Sequence, residues 1–303
     1  MADQFSGPAG LSLLTDLRQI FENKPVFQKR DRHIVFVCGG PTKARKKSMR
    51  RKFLEWSKSN FPEILPLLAE DAYKPTEFYD PPTTIDLADF EAIICDIADC
   101  VVLFPESAGS YAEIGYFAAK DGISRMVLVV NSLVLQSEDS FLSLGPIRRI
   151  NRLSYLEPTI QLARLCRDFS PLKKRLKKRL RETVKTRRFV YKPYWELKYR
   201  EKFLAAFQLI SILEPIDLEG LKTSFEQIFR ASFLASKEQE LEHIVAILHA
   251  AGYVRSRDEF FMLAPGADPL LEFKGVEMRK IRSDVLYYYK KNQPQLVRLL
   301  RGK

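Results

Sequence analysis

The apolar residues of this chain fall into runs whose spacing changes character near residue 170. HIVFVCGG (33–40) is a continuous apolar run closed by two glycines, and CVVLF (100–104) and RMVLVV (125–130) repeat its form. Runs of this length without polar alternation predict strands buried on both faces. Between them, residues 43–60, about 85–97 and about 110–121 carry spacing compatible with helices, while the proline-rich stretch 61–84 reads as irregular. Strands alternating with helices predict an α/β fold with a doubly wound parallel sheet. Ligands of such sheets bind at the carboxyl ends of the strands. The ends FVCGG and FPESAGS are therefore expected to face one crevice.

Beyond residue 170 the strand signals stop. Leu172, Leu176, Leu180 and Val184 recur every four residues, which predicts an amphipathic helix with an apolar stripe. Residues 203–252 read as three further helices, the last capped by Gly252, and YVRSRDEFFMLAP (253–265) as two short strands around a charged turn. Three helices followed by a hairpin outline a winged-helix module, smaller and mainly helical. The expected division is a catalytic domain over 1–168, a basic helical linker over 169–200 and a winged-helix-like DNA- or partner-binding domain over 201–303.

Composition narrows the class. With 303 residues, 46% hydrophobic and 29% charged, the chain can bury a sizeable core. No apolar run reaches membrane-span length, and MADQFSGPAG lacks the order of a signal peptide, so a cytoplasmic protein without membrane association is expected. Cys38, Cys95, Cys100 and Cys166 sit in or beside apolar stretches without metal spacing and read as buried thiols. Only His33, His243 and His249 occur, which argues against a histidine metal site or triad; no metal or cofactor is expected.

The net charge of +11 is uneven. Residues 173–188 carry ten basic side chains against one acid, and a second basic group spans Lys43 to Lys52. Such clusters point to a polyanion, with a solvated basic face as the plain alternative. Lys173, Lys174, Lys177, Lys178 and Arg181 on the helix, with Arg255 and Arg257 on the hairpin, are the candidate phosphate contacts. Tyr191, Tyr194 and Trp195 are candidates for stacking on unpaired bases, with core packing the stronger expectation for Trp195.

Candidate chemistry centres on VLFPESAGSYAEIGYFA (102–118). Glu113 is expected in the first turn of an otherwise apolar helix, right after a Gly109–Ser110 turn. A carboxylate there can simply favour the helix macrodipole. Its surroundings add a second reading. The glycine turn lets a ligand approach free backbone N–H groups at a strand's carboxyl end, and Glu106 and Glu91 can supply further carboxylates. A carboxylate in a concave site can attack the anomeric carbon of a sugar.

EIGYFA (113–118), with FVCGG upstream and DIADCVVLF before the turn, resembles the nucleoside 2-deoxyribosyltransferase family. The fuller string, FVCGG and SLGPIRRI (143–150) are similar to retron-associated effectors, which join that fold to a C-terminal winged helix. The resemblance implies a toxic effector of antiphage defence that cleaves an N-glycosidic bond of a nucleotide. NAD is the expected substrate, with nicotinamide released. It implies Glu113 as nucleophile and Glu91 as the acid that binds the sugar hydroxyls, a solvated helix carboxylate being the alternative for Glu91. Cys38, Gly39, Gly40, Glu106, Ser107, Gly109 and Ser110 would line the substrate pocket. The transferases carry an aspartate six positions before the nucleophile where this chain has Ser107, which leaves the leaving base open. Hydrolysis or exchange of a deoxynucleoside, a deoxynucleotide or a base in DNA is the alternative activity. A non-catalytic nucleotide sensor that binds DNA is the alternative of another class. Implied partners are a retron reverse transcriptase and its multicopy single-stranded DNA and RNA, with higher-order assembly as an open expectation.

Overall fold

The computed structural model describes residues 4–29, 33–40, 48–76, 79, 86–132, 140–163, 166–183, 187–233 and 235–301. In chain order the elements begin α1 (Pro8–Asn23), β1 (Val26–Gln28), β2 (His33–Gly39), α2 (Met49–Asn60), β3 (Ile64–Leu67) and α3 (Ala69–Ala72). Next come α4 (Leu87–Ile97), β4 (Cys100–Phe104), α5 (Ala108–Ala119), α6 (Asp121–Ser124) and β5 (Val127–Ser132). A π-helical turn (Ser143–Ile147) leads into α7 (Arg148–Leu153), β6 (Ile160–Leu162), α8 (Ser170–Thr183) and β7 (Arg188–Phe189). The chain closes with α9 (Tyr199–Leu213), α10 (Leu218–Phe229), α11 (Ala235–Ala250), β8 (Val254–Arg257), β9 (Phe260–Leu263), β10 (Leu271–Phe273), α12 (Met278–Asn292) and α13 (Pro294–Arg301).

Two compact units form, each from separated stretches. One comprises Arg30–Ala69 and Glu91–Lys185; the other comprises Met1–Lys29, Glu70–Phe90 and Thr186–Lys303. Three consecutive domains are therefore not what the chain builds. The expected linker helix shows why. Leu172, Leu176 and Leu180 of α8 are fully buried in the same core as Phe53, Phe61 and Phe169. The stripe that makes α8 amphipathic thus binds it into the first unit. Val184, the last of the stripe, lies outside the described residues.

The first unit is α/β. Among its described residues five parallel strands are ordered β3-β2-β4-β5-β6. All five residues of β4 have zero exposure, as a strand covered on both faces requires. The stretch expected to be irregular supplies β3, whose Pro66 is tolerated because β3 lies at a sheet edge. From β2 the chain steps to one side to form β3, then crosses to the other side of β2 to form β4. The strand order reverses between β2 and β4, where Gly39 pairs with Phe104 at the carboxyl ends. Asp99, just before β4, is a structural residue: its Oδ2 accepts from Ile34 N at 2.9 Å.

The second unit is mainly helical. It contains the three predicted helices α9, α10 and α11 and the antiparallel hairpin β8–β9, and Ile216 bridges to Phe261. Gly252 ends α11 with φ +72°, its N–H donating to His249 O and the next N–H, of Tyr253, to Leu248 O. An antiparallel sheet β10-β1-β7 pairs Val26 with both Phe273 and Phe189. Phe21 packs edge-on against Phe273 at 5.0 Å and Phe229 at 5.1 Å beneath it. The aromatic expectations invert here. Trp195 is 59% exposed, whereas Tyr194 is buried against Phe225 and Phe233.

Candidate functional site

The reversal of strand order between β2 and β4 opens the sheet at its carboxyl edge, the position where open α/β sheets bind ligands. Cys38 and Gly39 end β2, Glu106 and Ser107 lead from β4 into α5, and Gly109 and Ser110, expected as a turn before the helix, stand in its first turn. Ser107 is the N-cap of α5, accepting from Ser110 N at 3.2 Å. Ser110 is buried, its hydroxyl accepting from Glu106 N at 2.9 Å and Ser107 N at 2.8 Å and donating to Ser107 O. Both serines thus shape the turn with their hydroxyls. Gly109 is exposed in the first turn of α5, with no atom nearer than 4.0 Å to the place of a side chain. Its surroundings are open, at a helix start whose N–H groups lack intrahelical partners.

Glu106 faces the other way. Its carboxylate accepts from Met49 N at 2.7 Å and Arg50 N at 3.0 Å, so it caps α2, together with Ser48, which accepts from Arg51 N. The negative charge sits at the positive end of the helix. Glu106 contributes to the crevice by fixing α2, which brings in a residue that sequence reading missed. Arg50 is 4% exposed and donates from Nη1 to Gly39 O at 3.3 Å and Gly40 O at 3.4 Å. In the sequence it is one of seven basic residues, and only the Ser48 cap distinguishes the turn that points inward.

Glu113 lies half-buried in the second turn of α5, because the helix begins at Ala108 and the first turn expected to hold it carries no acid; Glu91 on α4 is 7% exposed. The reading of Glu91 as a solvated carboxylate is therefore overturned. The Cys38 thiol marks where these charges meet: burial holds its pKa far above the ordinary thiol value, and Glu113 and Glu91 raise it further, against Arg50. The buried Arg50 guanidinium thus sits at the end of β2, and both carboxylates lie near enough to act on the Cys38 thiol. Cys95, one turn after Glu91, is likewise pushed up by burial and by Glu91. Cys38, Cys95 and Cys100 are buried as expected; Cys166 is only half-buried. Among the described residues no group of three or more His, Cys, Asp or Glu is placed to hold a metal ion.

The candidate phosphate contacts divide. On α8, Lys173 donates to Asn60 O, Lys177 pairs with Glu63 at 2.5 Å, and both lie over the Phe61 ring. Lys174 and Lys178 are exposed on the outer face; the Arg181 side chain lies outside the described residues. On the hairpin, Arg257 faces Asp258 at 3.7 Å and Arg255 is half-buried. The middle of α11 is buried on every side, with Leu241, Ile244, Val245, Ile247 and Leu248 all at most 1% exposed. His243 on that helix is edge-on to Tyr79 at 5.7 Å and Phe90 at 5.6 Å.

Fold and site together define an α/β protein with two carboxylates and a buried arginine near the switch point of a parallel sheet, carrying a second, helical unit that contains a hairpin. The chain belongs to the retron effectors: the family described as STM3845 retron effector protein matches residues 46–256, more than half of the 303 residues. It is 26% identical over 215 residues to the "Retron Ec86 putative ribosyltransferase/DNA-binding protein" of Escherichia coli, covering 65% of this chain and 64% of that protein. It is 29% identical over 121 residues to the "Retron Ec73 putative ribosyltransferase/DNA-binding protein" of Escherichia coli, covering 40% and 38%. The match spans less than two thirds of either relative. Among the described residues no helix is long and apolar enough to cross a membrane.

Proposed function

We propose that this effector cleaves the N-glycosidic bond of a nucleotide in the crevice, with Glu113 as nucleophile and NAD as substrate. The observation that carries the reading is the placement of Glu113 on α5, straight after β4, and of buried Glu91 on α4, both near enough to the end of β2 at the switch point to act on the Cys38 thiol. The ribosyltransferase in the relatives' names supports the same reaction class. In this reading the α/β unit is deoxyribosyltransferase-like and the helical unit a winged helix.

The chemistry suits the groups present. When the bond from C1′ to the nicotinamide nitrogen breaks, its electron pair stays on the ring, which began cationic and leaves neutral. No strong general acid is needed. The positive charge developing on the sugar is met by the Glu113 carboxylate, which forms a glycosyl ester. Water then attacks C1′, freeing the carboxylate and giving ADP-ribose and a proton. Glu91 positions the sugar hydroxyls, so Glu91→Ala lowers the rate only in part. Gly39 and Gly40 keep the strand end narrow, and Arg50 offsets the two acids.

The cognate reverse transcriptase and its multicopy single-stranded DNA are the proposed partners, held through the exposed lysines of α8. Incubating the pure full-length chain with NAD and, separately, with a deoxynucleoside and deoxynucleotide mixture tests the substrate. Release of free nicotinamide supports the reading; release of a nucleobase from the mixture alone transfers the site to deoxynucleotides; no release from either, with ligand still bound, makes it a sensor.

A further inference from the structure

The helical unit holds a cavity of about 540 Å³, lined by Glu214, Arg255, Arg282 and the loop Leu263–Ala267. Besides that loop, its walls come from three places: Glu214 follows α9, Arg255 lies on β8, and Arg282 on α12. Both arginines are half-buried. The Nε–H of each is enclosed and has no hydrogen-bond partner, and among the described residues neither guanidinium joins an ion pair. Glu214, the acid of the lining, accepts from Leu263 N at 2.8 Å and so holds the end of β9. Two cations therefore stand against one acid that is already engaged by the backbone.

Buried donors without acceptors are costly, and two guanidiniums that line one cavity and join no ion pair among the described residues ask for an anion. The planar guanidinium fork matches the oxygens of a phosphate, and the cavity volume lies within the range of small-molecule sites. Other features of the unit turn phosphates away from the usual docking mode. The hairpin tip is the acidic pair Asp258–Glu259, both at positive φ, and the middle of α11 is buried. We infer that the Arg255–Arg282 cavity is an anion site that takes a phosphate group, carried either by a free nucleotide or by a nucleic-acid strand. This stands independently of the glycosidase reading.

The test uses full-length protein carrying Glu113→Gln, so that any turnover is irrelevant. Binding of dAMP, of deoxyadenosine and of a short single-stranded deoxyoligonucleotide is measured, with and without Arg255→Gln or Arg282→Gln. Phosphate-bearing probes are expected to bind, deoxyadenosine to fail, and each substitution to weaken binding by about tenfold or more, as loss of a charge-assisted hydrogen bond implies. Arg282→Lys should restore part of the affinity. If dAMP displaces the oligonucleotide, the site takes a free nucleotide; if dAMP is inert, it takes a strand phosphate. Should a glutamine variant fail to fold, inorganic phosphate must still raise the melting temperature of the arginine-intact protein, and Arg282→Lys must reduce that gain. The inference is overturned if no phosphate-bearing probe binds, or if folded variants bind them as tightly as the protein with both arginines.

Discussion

Gly39 has a φ of +145°, and a methyl group placed on it would lie 2.8 Å from Phe104 O and 2.9 Å from Phe104 Cβ. Both obstacles belong to the neighbouring strand and cannot swing aside. Gly39→Ala is expected to destabilise the chain by about 1–3 kcal/mol, read from the denaturant midpoint. Gly40→Ala, whose nearest neighbour would be Glu106 Oε1 at 3.4 Å, should cost much less. His243 gives a pH signature. Burial holds its pKa below the ordinary value, with Glu240 opposing. As pH falls through about 6.5 the unfolded chain takes up a proton that the folded chain still refuses, so stability is complete above that pH and declines below it. His249 shifts in the same direction, so His243→Phe should flatten only part of the fall in melting temperature between about pH 8 and pH 5.5. An unchanged profile would remove His243 from the account. At this scale the sequence marked Glu113 by its place after a glycine turn, but not Arg50 or the burial of Glu91. Those depend on which way one turn of α2 or α4 faces, and that is decided by partners distant in the chain.

Elements were legible where their pattern is local. CVVLF became β4 with the predicted bounds, and the leucine stripe of α8 packs as its spacing requires. β3 was hidden by Pro66, and β1, β7 and β10 are two or three residues each, paired across long stretches of chain, so no periodicity announces them. The packing of α8 also sorts its cations. Lys174→Glu with Lys178→Glu should leave stability within about 0.5 kcal/mol, being on the exposed face. The same pair should weaken single-stranded DNA binding and reduce its salt slope by about two. Lys177→Glu, which sets an acid against Glu63, should lower the melting temperature instead. DNA binding with an unaltered salt slope in the double variant would move the phosphate contacts off α8.

At the scale of the molecule, the interleaving of the two units means that neither can be excised as one continuous piece of chain. Regulation by partners therefore has to be tested on the full chain. Expression alone should slow bacterial growth, and co-expression with the cognate reverse transcriptase and its DNA should relieve the effect; equal toxicity in both cultures would count against restraint by those partners. The α/β architecture and the retron family follow from fold and comparison, and the chemistry rests on Glu113. Its most direct test is nicotinamide release from NAD by full-length wild type and by Glu113→Gln, with melting temperatures measured alongside. The account predicts release by the wild type and a loss of at least about a hundredfold in the variant, with the fold intact, since the substitution removes the attacking group. Near-normal release by Glu113→Gln, or a variant inactive only because it unfolds, would contradict it and leave Glu113 without the attacking role.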